Sequence, residues 1–508
     1  MSKPNYRVMF NADCTWPIIQ APDPVTPEGV ARVVDAVARG GADVFLVNPN
    51  AQKANYPSKV WEKDWDAFTP GDVSSVVCGQ GEPQTTHDLL VKMKRLAEQC
   101  DYLAMMLARC RQQGLVPGVS IRMNDMHDAP WAPNTWMFSR FYREHPEYWI
   151  KTTYARGWAA KGLDYTHPEI RQHYLALIGE IVAGYDLEVM ELDFSRFTCY
   201  FDRADPERNC AIMTAFIGDV RGLIRKSGKP IALIPRVAAT PTGAHELGFD
   251  VAAWAERGLI DGLSFGNFLT TGWEYPVDAF RRLVGPDVGL YAYADHSAAY
   301  MDGLPPVFIH ISREHQRGFA AGYRALGADG VATFNWYWGE NYGMTSDEYH
   351  RGLGEMAALE TLRPLPRRHL LSTGAAMADR EADMPVQVPA TLAPASPWPG
   401  CAHPFEMVLA AEAPGMTVTL DVIADGAVRA EGLWLRVNDR TVGHAVEVLD
   451  GARTDWQGKP YADLKRQSRI ARYRLPNGLL VDGRNRLVLR VEPPAGELTV
   501  LGIEVRIA

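Results

Sequence analysis

Two carboxylates stand close together in a largely apolar stretch of the chain, residues 187–196, which reads Leu-Glu-Val-Met-Glu-Leu-Asp-Phe-Ser-Arg. The stretch predicts a buried strand. Because side chains alternate between the two faces of a strand, Glu191 and Asp193 should point the same way. Burying two acids on one face is costly unless they have partners or a function. Hydrolysis of a glycosidic bond is one chemistry that uses such a pair, with one carboxyl as the acid and the other as nucleophile or base.

The segments around this stretch alternate between strand and helix patterns, in eight units before residue 365. The predicted strands are 7–11, 43–47, 115–121, part of 187–196, 230–235, 260–265, 288–293 and 330–334. The predicted helices are 27–38, 85–113, 168–185, 205–227, 251–257, 277–284, 312–326 and 346–360. Alternation predicts a parallel sheet, and eight units favour a closed (β/α)8 TIM barrel over an open doubly wound sheet. The segment after the first strand also lacks the glycines of a phosphate-binding loop.

The composition changes after residue 365, and the rest of the chain is predicted to be all β. Residues 366–404 are rich in Pro and Ala, and short alternating runs then follow at 406–410, 417–422, 432–437, 487–491 and 498–505. Turn signals separate these runs, among them Asp425-Gly426 and Asn438-Asp439. The predicted fold class is therefore α/β, with a TIM barrel in residues 1–365 followed by a linker and an all-β sandwich domain in residues 366–508.

The composition excludes several classes of partner. A net charge of −9 and a pI of 5.8 argue against a nucleic-acid or anionic-membrane surface, since either needs clustered basic residues. There is no signal-peptide pattern, no apolar run near the ~20 residues that span a bilayer, and no Cys-x-x-Cys pair. A cytoplasmic protein with reduced thiols is therefore expected. No sequence pattern indicates a metal or a cofactor, and the sequence leaves a homo-oligomer open.

Polar residues follow nearly every predicted strand, at the end where the active site of an eight-stranded barrel is built. Acids, Asn and Arg can bind neighbouring hydroxyls, and Trp and Tyr offer flat faces to a sugar ring. We therefore expect a carbohydrate substrate. The predicted substrate-binding residues are Asn11, Asp13, Asn48, Arg122, Asn124, Asp125, His127, Asp128, Arg196, Arg236, Asn267, Tyr293, His296, Asn335, Trp336, Trp338 and Glu340. Each of them taken alone can also be a loop residue or a helix cap.

The catalytic roles are predicted from position on the strands. Asp193, at the tip of its strand, is the predicted nucleophile or base. Glu191, one pair deeper, is predicted to act as the acid or to orient Asp193, unless it forms a buried ion pair with Arg122 or Arg236. Asp295 is the predicted second catalytic carboxyl. Other candidates for proton transfer are Asp125, Asp128, Glu340 and His127.

Four motifs resemble one group of bacterial proteins. They are Tyr-Pro-Ser-Lys at 56–59, Ser-Ile-Arg-Met-Asn-Asp-Met-His-Asp at 120–128, Met-Glu-Leu-Asp-Phe-Ser-Arg-Phe at 190–197 and Thr-Phe-Asn-Trp-Tyr-Trp at 333–338. Together they are similar to the glycoside-hydrolase-like barrel proteins that are loosely grouped as family-10-like hypothetical glycosidases. The resemblance covers about residues 1–365 and implies a TIM-barrel glycosidase. The trailing sandwich is similar to the accessory β-domains that those proteins often carry.

A second resemblance concerns the fourth strand. The run Gly-Leu-Asp-Tyr-Thr-His-Pro at 162–168, followed by the strand that ends in Asp193, looks like α-galactosidase-type retaining enzymes. That resemblance implies that Asp193 is the nucleophile. Those enzymes carry their acid after the sixth strand, where this chain has Asn267 and, further on, Glu274.

Two other functions stay open at this point. One is a lyase or isomerase that acts on uronic-acid sugars, with Arg122 and Arg236 holding the substrate carboxylate and His127 or a tyrosine moving a proton. The other is a catalytically silent barrel that binds carbohydrate without turning it over.

Overall fold

A computed structural model gives the structure of the chain. It describes residues 3–13, 15–79, 81–129, 134–151, 161–267, 270–295, 297–300, 307–334, 336, 350–372, 387–393, 402–426, 429–451, 468–492 and 496–508. No helix in these ranges is both long enough and apolar enough to cross a membrane.

The first part of the chain forms a closed barrel of eight strands, which confirms the predicted fold class. The barrel strands are β1 (Val8–Ala12), β2 (Val44–Val47), β3 (Val116–Arg122), β4 (Val189–Asp193), β5 (Ala232–Val237), β6 (Gly262–Phe265), β7 (Gly289–Ala294) and β10 (Gly330–Phe334). Around the barrel the order is β1-β10-β7-β6-β5-β4-β3-β2. An antiparallel pair, β8 (Ser297–Tyr300) and β9 (Val307–His310), follows β7. All eight predicted strands are confirmed to within a couple of residues at each end.

The barrel strands are short apolar runs, because a parallel strand is covered on both of its faces. β2, Val-Phe-Leu-Val, is buried along its whole length. β4, Val-Met-Glu-Leu-Asp, is equally buried although it carries two acids. These two carboxylates must therefore be satisfied inside the barrel.

The helices occupy the segments between the strands. They are Trp16–Gln20, Pro27–Gly40, Pro83–Ala97, Tyr102–Gln112, Arg140–Glu144, Pro168–Gly184, Pro206–Ser227, Pro241–Glu246, Val251–Glu256, Val277–Val284, Arg313–Ala325 and Leu359–Leu362. Short 3-10 turns lie at Asp64–Ala67, Val73–Ser75, Pro146–Tyr148, Gly354–Ala357 and Ala430–Gly432.

Two of the predicted helices are wrong in extent. The single helix predicted over 85–113 is two helices, because the Asp101 side chain accepts a hydrogen bond from the Ala104 amide and starts a second helix. Of the helix predicted over 346–360, residues 346–349 lie outside the described residues. Most of the rest is turn and 3-10 structure.

The C-terminal part of the chain holds two antiparallel sheets. Its strands are β11 (Arg367–Leu371), β12 (Ala390–Leu392), β13 (His403–Leu409), β14 (Val418–Gly426), β15 (Leu433–Val437), β16 (Arg440–His444), β17 (Glu447–Gly451), β18 (Ser468–Leu475), β19 (Gly483–Val491) and β20 (Leu498–Ile507). One sheet has the order β11-β20-β14-β18-β17, with β12 also paired to β20. The other has the order β13-β19-β15-β16.

The two sheets share one apolar core. Leu420 and Tyr473 come from the first sheet, and Leu435 and Leu487 come from the second. All five predicted strands of this part are confirmed. Asn438-Asp439 makes the predicted turn between β15 and β16, with positive φ at both residues. The turn predicted at Asp425-Gly426 is wrong, since both residues continue β14.

The chain divides into two compact units. The first unit contains residues 1–265 and 279–291, and the second contains residues 266–278 and 292–508. The domain boundary expected near residue 365 stays a prediction.

Within the second unit, the helix Arg313–Ala325 lies against strand backbone. A Cβ added at Gly318 would stand 1.8 Å from the carbonyl oxygen of Arg368 on β11. One added at Gly322 would stand 2.8 Å from the carbonyl oxygen of Val408 on β13. Glycine at these two positions therefore sets how closely the helix approaches the strands.

We expect Gly318→Ala to lower the free energy of unfolding by about 3 kcal/mol, because helix and strand must separate to admit the methyl group. Gly222→Ala is the matched control, since a Cβ at this helical position meets nothing within 4 Å. The control should raise the free energy of unfolding by about 0.5–1 kcal/mol. Urea unfolding followed by circular dichroism measures both. Equal effects of the two substitutions would contradict the close approach.

Candidate active site

Strand register brings three charged side chains into one layer of the barrel. Asp193 on β4 lies opposite Arg122 on β3 and opposite Arg236 on β5. Ser120 and Glu191 form the pair one layer deeper. Since residues two apart on a strand share a face, all five side chains point the same way. Glu191 and Asp193 therefore share one face of β4, as the sequence predicts.

Glu191 is fully buried and held by hydrogen bonds from several strands. Its Oε1 accepts from Asn11 Nδ2 at 2.8 Å and from Ser120 Oγ at 2.8 Å, and its Oε2 accepts from Ser264 Oγ at 3.0 Å. Asn48 Nδ2 in turn donates to Asn11 Oδ1 at 2.7 Å. Burial, followed by repulsion from Asp193, raises the pKa of Glu191 to about 7.

Asp193 is also fully buried, and its partners differ from those of Glu191. Its Oδ1 accepts from the backbone amides of Ser195 and Arg196, both at 3.0 Å. Its Oδ2 lies 3.3 Å from Arg236 Nη1. A carboxylate has about four acceptor positions. In the described part of the chain three of these are filled, so one position remains on Oδ2.

A second set of charges connects Arg122 of this layer to groups at the barrel rim. Arg122 donates to Asp125 Oδ2 at 3.0 Å and, through its other terminal nitrogen, to Asp13. Arg196 Nη2 lies 2.9 Å from His127 Nε2 and 4.0 Å from Asp13 Oδ2. We call these five residues, Asp13, Arg122, Asp125, His127 and Arg196, the rim cluster.

The contacts of His127 fix its tautomer. Arginine has only donors, so His127 Nε2 accepts from Arg196, and Nδ1 carries the proton toward Asp125 Oδ1 at 2.6 Å. Burial acts to raise the pKa of Asp125, but His127, Arg122 and Arg196 together lower it well below its usual range. Asp125 therefore has no proton to give near neutral pH.

Solvent reaches the rim cluster at two of its members. The side chains of Asp13 and His127 are 27% and 29% exposed, whereas those of Arg122, Arg196 and Asp125 are nearly inaccessible. A ligand at the mouth of the barrel would therefore meet Asp13 and His127 first.

Two predicted substrate-binding residues hold loops together. Asn124 donates to the carbonyl oxygens of Leu163 and Cys199 and accepts from the Leu163 amide. Asp128 accepts from Thr135 Oγ1 at 2.6 Å and from the Gly79 amide at 3.0 Å. These contacts give both residues a structural role. A role in binding substrate stays a prediction for each.

Other predicted site residues belong to the second unit. The backbone N–H of Asn267 donates to the Tyr275 hydroxyl at 3.0 Å. The backbone of Asp295 exchanges hydrogen bonds with Thr271 Oγ1. Tyr293 and Trp336 are buried there.

Four further predicted site residues, His296, Asn335, Trp338 and Glu340, lie outside the described residues. Glu274, which follows β6, is bound by Gln387.

Sequence reasoning missed two amides in the loop after β2. Asn50 Nδ2 donates to the carbonyl oxygen of Arg122 at 3.0 Å, and Gln52 Nε2 donates to that of Asp125 at 2.8 Å. They fasten this loop to the tip of β3. The sequence did contain a signal for a hydrogen-bonded loop, because four side-chain amides lie in one short segment after a buried strand. They are Asn48, Asn50, Gln52 and Asn55.

The same loop is fastened at its other end by the Tyr-Pro-Ser-Lys motif. Glu180, on the helix Pro168–Gly184, accepts from Tyr56 Oη at 2.7 Å, from Ser58 Oγ at 2.6 Å and from the Lys59 amide at 2.7 Å. The motif therefore docks the loop onto the helix.

Sequence reasoning also missed a buried acid, Asp64, which begins the 3-10 turn after this loop. In the described part of the chain its carboxyl accepts no hydrogen bond. Burial, partly opposed by the charge of Lys53, raises the pKa of Asp64 to about 7, and Asp125 and Arg122 are near enough to act on it. Asp64 can thus hold a proton near neutral pH. No pattern in the polar sequence around it indicated this.

Within the described ranges, no group of three or more His, Cys, Asp or Glu side chains could hold a metal ion.

The whole chain is similar to known proteins only at the level of solved structures. No protein-family model matches it, and no curated protein matches it. Among solved structures, the glycoside hydrolase domain of PgaB (BpsB) from Bordetella bronchiseptica is 11% identical and has a TM-score of 0.44, with 70% of this chain and 99% of that chain covered. The α-L-fucosidase AlfC from Lactobacillus casei is 10% identical and has a TM-score of 0.37, with 70% and 95% covered. A bacterial fucosidase is 9% identical and has a TM-score of 0.37, with 96% and 93% covered. These structural neighbours are glycoside hydrolases.

We expect Glu191→Gln to flatten the pH dependence of stability. A carboxyl with a raised pKa in the folded state stabilises the fold below its ordinary pKa of 4.5, and this contribution is lost as the pH rises toward about 7. The amide keeps the shape and cannot ionise, so the variant should lack this loss. The measurement is the free energy of unfolding between about pH 4 and pH 8.

The control for this experiment is Glu256→Gln, which changes an exposed acid at a helix end. Its stability should follow the wild-type dependence on pH. A Glu191→Gln curve parallel to that of the wild type would contradict the raised pKa.

Proposed function

We propose that this protein is a glycoside hydrolase that cleaves a glycosidic bond of an oligo- or polysaccharide with two carboxyls at the C-terminal rim of its barrel. The observation that carries the proposal is the environment of Asp193. This acid ends β4 inside the barrel, where two backbone amides and Arg236 contact its carboxyl and one acceptor position on Oδ2 is left among the described contacts.

In this proposal Asp193 is the nucleophile or base. Its three donors orient the carboxylate before substrate binds, which removes reorganisation from the reaction. The resemblance of residues 162–168 and the strand that ends in Asp193 to α-galactosidase-type retaining enzymes supports the same role. Glu191 acts as a positioning residue, because its oxygens accept from Asn11, Ser120 and Ser264 and its charge lies next to Asp193.

The second carboxyl must carry a proton to the leaving group near neutral pH. We propose Asp64 for this role, because burial gives its carboxyl a pKa of about 7 and no described residue donates a hydrogen bond to it. Asp125 is a poor acid because its pKa is lowered. Asp295, the acid predicted from the sequence, is the alternative.

The described contacts of Arg122 and Arg236 do not favour the uronate lyase or isomerase over hydrolysis. That function needs Arg122 and Arg236 to hold a substrate carboxylate. Protein carboxylates already bind both, Arg122 through Asp13 and Asp125, and Arg236 through Asp193. A substrate carboxylate would have to displace one of these acids.

Asp193→Asn should lower kcat on a cleaved aryl glycoside by at least about a thousandfold while sugar binding is kept, because the amide cannot attack or accept a proton. Asp186→Asn, which changes an exposed acid, is the control and should leave kcat unchanged. A panel of 4-nitrophenyl glycosides gives kcat, and proton NMR of fresh product gives its anomer. Unchanged turnover in Asp193→Asn would remove this residue from the mechanism. An unsaturated sugar product would establish elimination in place of hydrolysis.

The acid is identified by its dependence on the leaving group. Asp64→Asn should slow cleavage of methyl glycosides by about a hundredfold or more, because their leaving group needs a proton. Cleavage of 2,4-dinitrophenyl glycosides, which leave without one, should change little. The same pattern in Asp295→Asn, with Asp64→Asn unaffected, would assign the acid to Asp295.

A further inference from the structure

The six-stranded sheet of the second unit carries a row of polar residues on its outer face. Thr419 on β14 lies opposite Arg474 on β18 and opposite Arg506 on β20, so the three side chains stand side by side. Leu420 and Tyr473, their neighbours along the strands, point into the core of the sandwich. Because side chains alternate, the row with the two arginines points away from that core.

The adjacent row fixes two arginines in place. Asp421 is buried and accepts two hydrogen bonds from Arg472, at 2.8 and 3.0 Å. The same carboxylate lies 3.2 Å from Arg506 Nη2, and Arg506 Nε donates to Glu504 at 3.2 Å. A paired guanidinium and carboxylate make one of the strongest and most directional contacts in proteins. Arg472 and Arg506 are therefore held in position before any ligand arrives.

Arg474 differs from these two residues because its charge is not balanced. It is exposed, and in the described part of the chain it makes no hydrogen bond or ion pair. Its five N–H donors are all available. Arg474 is therefore a cation with no partner among the described residues, beside two arginines whose charges are met by Asp421, Glu447 and Glu504.

These side chains border a cleft of about 510 Å³. The lining residues are Thr419, Val446, Glu447, Arg472, Arg474 and Arg506. This volume is typical of sites that take small ligands.

We propose that this cleft binds the carboxylate of an acidic oligosaccharide. The flat guanidinium of Arg474 matches a carboxylate in geometry and charge, and the free terminal nitrogen of Arg506 adds a further donor. Thr419 and Glu447 supply a hydroxyl and an acceptor for sugar hydroxyls. Glu447 also repels a dense polyanion such as nucleic acid, whereas a sugar chain with one carboxylate per ring has hydroxyls to offer it. This inference does not depend on the activity proposed for the barrel.

The test compares ligands on the full chain by isothermal titration calorimetry. The probes are hexagalacturonate, cellohexaose, inorganic phosphate and a single-stranded DNA hexamer. Hexagalacturonate should bind at least about tenfold more tightly than each of the others. Arg474→Glu should weaken its binding by about tenfold or more, the loss expected for a charge-assisted hydrogen bond.

The matched control is Arg440→Glu, which makes the same change of net charge at an exposed position on the other sheet, on β16. It should leave the affinity for hexagalacturonate within about twofold of the wild-type value. Equal losses in the two variants would mean attraction by net charge alone and would overturn the proposal. Tighter binding of phosphate, DNA or cellohexaose that Arg474→Glu weakens, or no binding of hexagalacturonate, would overturn it as well.

Discussion

The ion pair between Asp193 and Arg236 is the constraint on which the site depends. Both side chains are fully buried, and taking two charges out of water costs more than one contact at 3.3 Å returns. The remaining charge of Asp193 is therefore met by the amides of Ser195 and Arg196. Those amides point at the carboxylate only because the chain turns sharply after β4, and Ser195 Oγ fastens this turn to the carbonyl oxygen of Val237. The same turn carries Arg196 to the rim, where it meets His127.

The layer beneath the ion pair shows how a barrel can bury a second acid among hydroxyl and amide donors. Glu191 is satisfied by neutral donors, an amide and two hydroxyls from three different strands. Burial raises the pKa of Glu191 and the charge of Asp193 on the same strand raises it further, while Arg236 and the hydroxyl donors oppose this rise only in part. The two acids also fix the register of β4 against its neighbouring strands. If β4 slipped by one residue, both would move to the outer face and leave their donors unpaired inside the barrel.

The strands could be predicted because their signal is local. Barrel strands are short apolar runs that end in polar residues, and sandwich strands alternate, so neither needed knowledge of tertiary contacts. The break within 85–113 was missed because Asp101 caps a helix in the middle of a helical pattern. Once the strand was placed at residues 187–196, the alternation of side chains along it also predicted that Glu191 and Asp193 share a face.

The division of the polar residues into site and scaffold could not be predicted in the same way. Asn124 and Asp128 have the types and positions of binding residues, yet loops far along the chain use their hydrogen bonds, Asn124 through Leu163 and Cys199. Asp64 stands in a polar loop, and only its burial, which outweighs the charge of Lys53, makes it a candidate acid. Such properties arise from contacts between distant segments, which single-residue patterns do not encode.

The loop after β2 has a consequence for how the barrel would recognise a ligand. Asn50 and Gln52 fasten one end of the loop to the tip of β3, and Glu180 fastens the other end through Tyr56, Ser58 and Lys59. A segment tied at both ends has little conformational freedom left to lose, so this side of the mouth is a rigid wall. Selectivity for a ligand on that side must then come from its fit to a fixed shape. New ligand preferences should evolve by exchange of side chains on this wall while its backbone stays in place.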